Sequence, residues 1–316
     1  MMKQVSVLIL LGTLLVACQP AGQAAIQPTS QAAQAGGEQA AVKVIAAETF
    51  LADIAQNVAG DRVKVESLMP IGVDPHGFEP TPTDVAKVAD SNVLIVNGAG
   101  FEEFLTELLE NAGGQPAVLE ASAGLTSRQL REGEIADPDH AGDPHFWLDP
   151  QKAIKYVENI RDGLSAADPA GAAAYKANAD AYIAKLQELD RWIADRVAEV
   201  PPADRLLVTN HASLGYFADR YGFKIIGTVV PGVSTESSPS AQQLAALTDH
   251  IKETGAKAIF LETGANPQLA EQVAQETGSR VVTDLYSHSI TEAGGPAPTY
   301  IDMLKFNTDA IVAALK

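Results

Sequence analysis

Histidine can lose its proton near neutral pH and then offer a nitrogen lone pair to a metal ion. This chain carries six: His76, His140, His145, His211, His250 and His288. Three stand in settings that suit ligation: His76 in the proline-rich loop GVDPHGFEPTP, His145 in GDPHFWLDP, and His211 just after the apolar run LLVT in TNHASLGYF. The acid in a matching setting is Asp284, which follows RVVT in VVTDLYSHS. Three neutral imidazoles and one carboxylate make a four-donor set that suits Zn²⁺ and leave the site one net positive charge. Cys18 is the chain's single cysteine. No thiolate from further along can therefore take part, and any metal site in the body must be built from His, Asp and Glu.

Taken one at a time these residues say little, because a histidine after a strand is more often packed or solvated than a ligand. Their joint placement carries the reading. Pro75 and Pro144 restrict the backbone of Asp74 and Asp143, which helps hold the imidazole that follows each pair. Both aspartates could accept a hydrogen bond from a ligand's second ring nitrogen, but capping of their own loops is the preferred role. His250 lies in a helical pattern beside Asp249 and Lys252 and is expected to face solvent. His140, in the acidic loop EIADPDHAGD, suits weak metal capture or plain solvation. His288, four residues past Asp284, is expected to support the site or to compete as a ligand. Glu262, which ends AIFLE, is the best-placed general base for a hydrolytic zinc, although a structural role at a cleft floor suits it better. The HExxH stretch of zinc hydrolases is missing from the sequence.

The elements that must position these groups alternate strand and helix. Strands are predicted over Val42–Ala47, Val63–Leu68, Val93–Val96 and Ala117–Leu119, and helices follow Glu48-Thr49, Thr83 and Phe101. Asp149-Pro150 reads as an N-cap with proline at the first helical position, launching a helix to about Ser165. Then comes the longest periodic stretch, Tyr175, Ala179, Tyr182, Leu186, Leu189, Ile193, Val197 and Val200. A helix over 172–200 would be about 40 Å long and could act as a spine. The second half repeats the rhythm, with strands at Leu206–Thr209, Lys224–Val230, Ala258–Leu261 and Arg280–Thr283. The expected architecture is two α/β lobes, each with a mostly parallel sheet, joined by a single long backbone helix, with the metal site in the cleft at the strand ends.

Net charge and the N-terminal segment bound the chain's setting. A formal charge of -18 works against nucleic acid and mildly favours a cationic ligand. Residues 1–17 read as a signal peptide whose apolar run is too short to cross a bilayer. LVAC at its end looks like a bacterial lipobox, so a lipid anchor is expected on Cys18. Residues 18–41 are an Ala/Gln/Gly-rich tether. The body then divides into an N-terminal lobe at 42–165, a linking helix region at 166–202 and a C-terminal lobe at 203–316.

DPHGFEPTPTD, NGAGFEEFL, DPHFWLDP, TNHASLGYFADRYGF, PSAQQLAAL with AIFLE, and TYIDMLKFNTDAI together resemble the substrate-binding proteins of zinc and manganese ABC importers, the cluster A-I or ZnuA/TroA-like class. That resemblance implies four metal ligands at His76, His145, His211 and Asp284, and two lobes whose relative motion is restrained. Histidine at the third place resembles the zinc receptors, where manganese members usually carry glutamate. It implies a non-enzymatic, extracytoplasmic receptor that delivers Zn²⁺ to an ABC permease with its cytoplasmic ATPase, with manganese the alternative cargo and an extracellular zinc hydrolase the less favoured reading. A monomer is expected, and an accessory metallochaperone is a further candidate partner. The loop at 122–144 departs from the long histidine-rich stretch of many zinc receptors, since it holds only His140.

Overall fold

The computed structural model describes residues 42–114, 116–129 and 142–316. The signal, anchor and tether expectations, and His140, lie outside them. In the first half, β1 (Val44–Ala46), β2 (Val65–Ser67), β3 (Val93–Val96) and β4 (Ala117–Glu120) form a parallel sheet in the order β2-β1-β3-β4. The second half repeats it with β5 (Leu206–Thr209), β6 (Lys224–Thr228), β7 (Ala258–Glu262) and β8 (Arg280–Leu285), in the order β6-β5-β7-β8. In each sheet the chain steps outward to one side of its first strand and then to the other. The loops after neighbouring strands therefore diverge, opening a crevice at the C-terminal strand ends. β1 and β3 are buried at every residue, as expected for central parallel strands covered on both faces.

Helix starts follow local chemistry. Among α1 (Thr49–Ala59), α2 (Pro82–Ala89), α3 (Leu105–Ala112) and α4 (Pro150–Ala167), the second has a full capping box between Thr81 and Asp84. Asp149 caps α4 by accepting from Gln151 N, with Pro150 behind it. The spine is α5 (Ala172–Val197), 26 residues long, or about 39 Å. It buries Tyr175, Ala179, Tyr182, Leu186, Leu189, Ile193 and Val197. The remaining helices are α6 (Gly215–Tyr221), α7 (Ala241–Thr254), α8 (Gln268–Thr277) and α9 (Tyr300–Leu315).

The structure is bilobed, and α5 joins the lobes by packing on α1 and α4 from the first half and α9 from the second. Phe50, Trp147, Phe260 and Tyr300 belong to one continuous core that spans both halves. Trp147 stacks on Phe50 at 4.5 Å and donates from Nε1 to Ser287 O at 2.8 Å. Tyr300 OH in turn donates to Trp147 O. A polar clasp closes the far end of the spine, where Arg62 donates twice to Asp168 and Tyr175 OH donates to the same carboxylate at 2.7 Å. Arg62 and then Tyr175 lower the Asp168 pKa to about 2. Asp168→Asn is expected to lower the melting temperature by roughly 2–4 °C, the effect of about 1 kcal/mol, which a thermal melt at pH 7 would read.

Candidate metal centre

Three strand-end loops and the turn that leads into α4 bring four imidazoles together. The loop after β2 carries His76, and its turn is tied by Asp74 Oδ1, which accepts from His76 N at 3.1 Å. His145 opens the short 3-10 turn at Phe146–Leu148. Its backbone N donates to Asp143 Oδ1 at 3.0 Å, and the same oxygen lies 3.0 Å from its ring Nδ1. Asp143 therefore both caps the turn and backs the imidazole. His211 follows β5, where Thr209 Oγ1 donates to its carbonyl at 2.7 Å. His288 follows β8, and the loop bearing it is pinned across the cleft. Thr49 Oγ1 accepts from Ile290 N at 3.1 Å, and Ser289 Oγ accepts from Gly72 N at 2.9 Å.

His76, His145, His211 and His288 are all buried, and one ligand atom from each lies within 4.8 Å of the others. The six ring-to-ring separations run from 5.0 to 5.7 Å, so the four rings sit at the corners of a nearly regular tetrahedron. His145 Nε2 and His211 Nε2 are 3.2 Å apart. A tetrahedral ion with metal–nitrogen bonds of 2.0–2.1 Å would need an edge of roughly 3.3 Å. That one edge already has the length a first-row divalent ion needs, and the other ligand atoms, within 4.8 Å of one another, would close in on it. Phe101 packs edge-on to His76 at 5.1 Å and Trp147 lies 5.2 Å from His145, which walls the site with apolar rings.

Of the residues read from the sequence, His76, His145 and His211 are in this group and Asp284 is not. The cause is where β8 ends. The sequence places the strand end at Thr283, whereas the ladder continues to Leu285, which pairs with Glu262 after a register shift. Asp284 is still inside the strand, exposed, and accepts from Thr283 Oγ1 at 3.2 Å. The fourth corner belongs to His288, three residues past the strand end. The one signal for it in the sequence is a second histidine-bearing turn beyond RVVTDL.

The outer groups are mostly carboxylates. Glu262 Oε1 lies 3.1 Å from His211 Nδ1 and accepts from Ser213 Oγ at 3.0 Å, so the candidate base of the hydrolase reading is engaged with an imidazole. Asp74 lies 3.8 Å from His288 Nδ1 rather than backing the His76 ring, and its other oxygen accepts from Thr235 Oγ1 at 2.7 Å. Burial alone would depress the His211 pKa, but Glu262, and after it Asp74 and Asp143, more than offset this and hold it above the ordinary value. His288 moves well below the ordinary value, through burial and then the charge of His211. Beside the cluster lies a cavity of about 350 Å³, whose lining includes Asp74, Glu236, Glu262 and His288. It gives a cation an acidic approach to the imidazoles.

Comparison with known proteins agrees with this picture. Residues 44–314 match the family model described as zinc-uptake complex component A, periplasmic. The manganese-binding lipoprotein MntA of Halalkalibacterium halodurans is 37% identical over 274 residues, covering 87% of this chain and 88% of that one. The Mn-bound periplasmic metal binding protein of Candidatus Liberibacter asiaticus superposes with a TM-score of 0.77 at 30% identity, over 87% of this chain and 100% of the other. The periplasmic zinc binding protein TroA of Treponema pallidum gives a TM-score of 0.79 at 28% identity, over 87% and 99% of the two chains.

Proposed function

We infer that this chain, which belongs to the family of periplasmic zinc-uptake complex component A, is a receptor that captures a divalent transition-metal ion outside the cytoplasm and passes it to an ABC importer. Membership makes it a metal-binding transport protein and not an enzyme. The observation that carries the reading is the buried tetrahedron of His76, His145, His211 and His288. Four donors fill a tetrahedral shell and leave no open position for the water that a catalytic zinc keeps. The residues' work is to replace the ion's hydration shell with lone pairs and to keep bulk water away behind Phe101 and Trp147.

Manganese is the cargo this reading adopts, supported by the manganese named for the relative from H. halodurans and for the Liberibacter structure. It replaces zinc as the first choice. Zinc stays as the second reading because of the donor set: imidazole suits zinc, and by the Irving–Williams order such a site binds Zn²⁺ more tightly than Mn²⁺ at equilibrium. A manganese receptor built this way would owe its selectivity to metal supply, with zinc as a competing ion. The test is elemental analysis of the chain recovered from its own compartment after growth with both metals, beside an equimolar competition in vitro. Manganese in the first with zinc winning the second is the expected pair. Zinc in both favours the second reading, and no retained metal overturns the receptor. Exchanging His211 for glutamate is expected to move the in vitro preference toward manganese; an unchanged ratio in competition titrations would count against the donor argument.

A further inference from the structure

We propose that Glu262 is a positioning residue that fixes the tautomer and aim of His211, so that metal capture depends on a side chain that does not itself touch the ion. The proposal rests on the receptor reading above. His211 is fully buried, and its Nδ1 lies 3.1 Å from Glu262 Oε1, an ion-pair distance without hydrogen-bond alignment, so the link between them is electrostatic. A carboxylate can only accept, so the contact is favourable when the ring hydrogen sits on Nδ1. The lone pair is then on Nε2, which is the nitrogen that faces His145 Nε2 at 3.2 Å. The other tautomer would set a lone pair against the carboxylate and a hydrogen into the centre of the cluster.

The fold holds Glu262 in place for this. It ends β7, where the pairing with β8 shifts register between Phe260 and Glu262, and such an irregularity re-aims the side chain that follows it. Ser213 Oγ donates to the same Oε1 at 3.0 Å, fixing the carboxylate from the His211 loop itself. Asp143 stands behind His145 Nδ1 at 3.0 Å in the same way. With four neutral imidazoles around a dication, these outer carboxylates also supply the nearby negative charge that the inner donors lack. Carboxylate–imidazole–metal chains of this kind raise ligand basicity and fix ring orientation.

The experiment titrates the full chain with Co²⁺ and Zn²⁺, and compares wild type with Glu262→Ala and Glu262→Gln. The alanine variant should lose about 10–100-fold in affinity and change the ligand-field spectrum of bound Co²⁺, while its far-ultraviolet circular dichroism stays that of wild type. Glutamine, whose amide oxygen can still face Nδ1 with a partial negative charge, should restore the Co²⁺ spectrum and recover part of the affinity. Wild-type affinity and spectrum in the alanine variant would overturn the proposal, as would a loss that glutamine does not rescue at all. Failure of the wild type itself to hold Co²⁺ or Zn²⁺ would overturn the receptor reading, and this one with it.

Discussion

Replacing His288 with alanine is expected to abolish tight metal binding, whereas Asp284→Ala leaves it unchanged. His288 Nε2 is buried without a hydrogen-bond partner among the described residues, and its ring completes the tetrahedron at 5.0 Å from His211 and 5.1 Å from His76. Asp284 is exposed on β8. Loss of an inner donor should exceed the roughly 10–100-fold effect of losing an outer partner, so the alanine variant should fail to compete with a chelator that wild type resists. Protonation gives a second reading of the same pair. Because the His288 pKa lies well below the ordinary value, this ring is already neutral at pH 7 and no proton competes with the metal there. His211 is shifted the other way, so affinity should rise with pH through its titration in wild type. His288→Asp, which makes three imidazoles and one carboxylate, should bind again and move the preference toward the harder manganese ion. Metal binding that survives in His288→Ala and fails in Asp284→Ala would restore the aspartate as the fourth donor.

The contrast between those two residues marks how far the sequence could be read. Elements with local signatures were legible, because Asp149-Pro150 and Ser240 act through atoms within three residues and the α5 stripe repeats over seven turns. Two lobes of alternating strands and helices followed from that rhythm. The last two residues of β8 were not legible, since what extends the strand to Leu285 is pairing with Glu262, over twenty positions earlier. One misplaced strand end is enough to exchange an exposed acid for a buried histidine. The carboxylates show the same limit. Asp74 and Asp143 sit in matching DPH triplets, yet only Asp143 lies against the ring of its own histidine, while Asp74 reaches toward His288. That difference is made by how loops from opposite halves meet, which no spacing within one loop encodes.

The metal-free protein is expected to lose thermal stability as pH rises from about 6.5 to 8.5, because two buried glutamates share a place that tolerates one charge. Glu48 ends the turn after β1 at 1% exposure and, although it is the N-cap of α1, makes no side-chain capping bond. Glu102 is also buried, but it accepts from the backbone N–H groups of Asn97 and Gly98. Burial, and then the charge of Glu102, raise the Glu48 pKa well above the carboxylate range. Burial raises Glu102 to about 7 against the pull of those two N–H groups. Both folded pKa values exceed the unfolded one near 4.3. The folded state thus holds more protons across this window, and its advantage is lost as pH climbs through the folded values. His211, also raised, acts in the same direction above pH 6.5. The depressed His288 acts oppositely, but only below pH 6.5, which sets the lower bound of the window. The loss should appear as a lower melting temperature at pH 8.5 than at pH 6.5. Glu48→Gln removes one of the two ionisable groups, so melts in the presence of chelator should show a shallower slope and a higher melting temperature at pH 8.5. A slope equal to wild type would mean that the proton is held elsewhere.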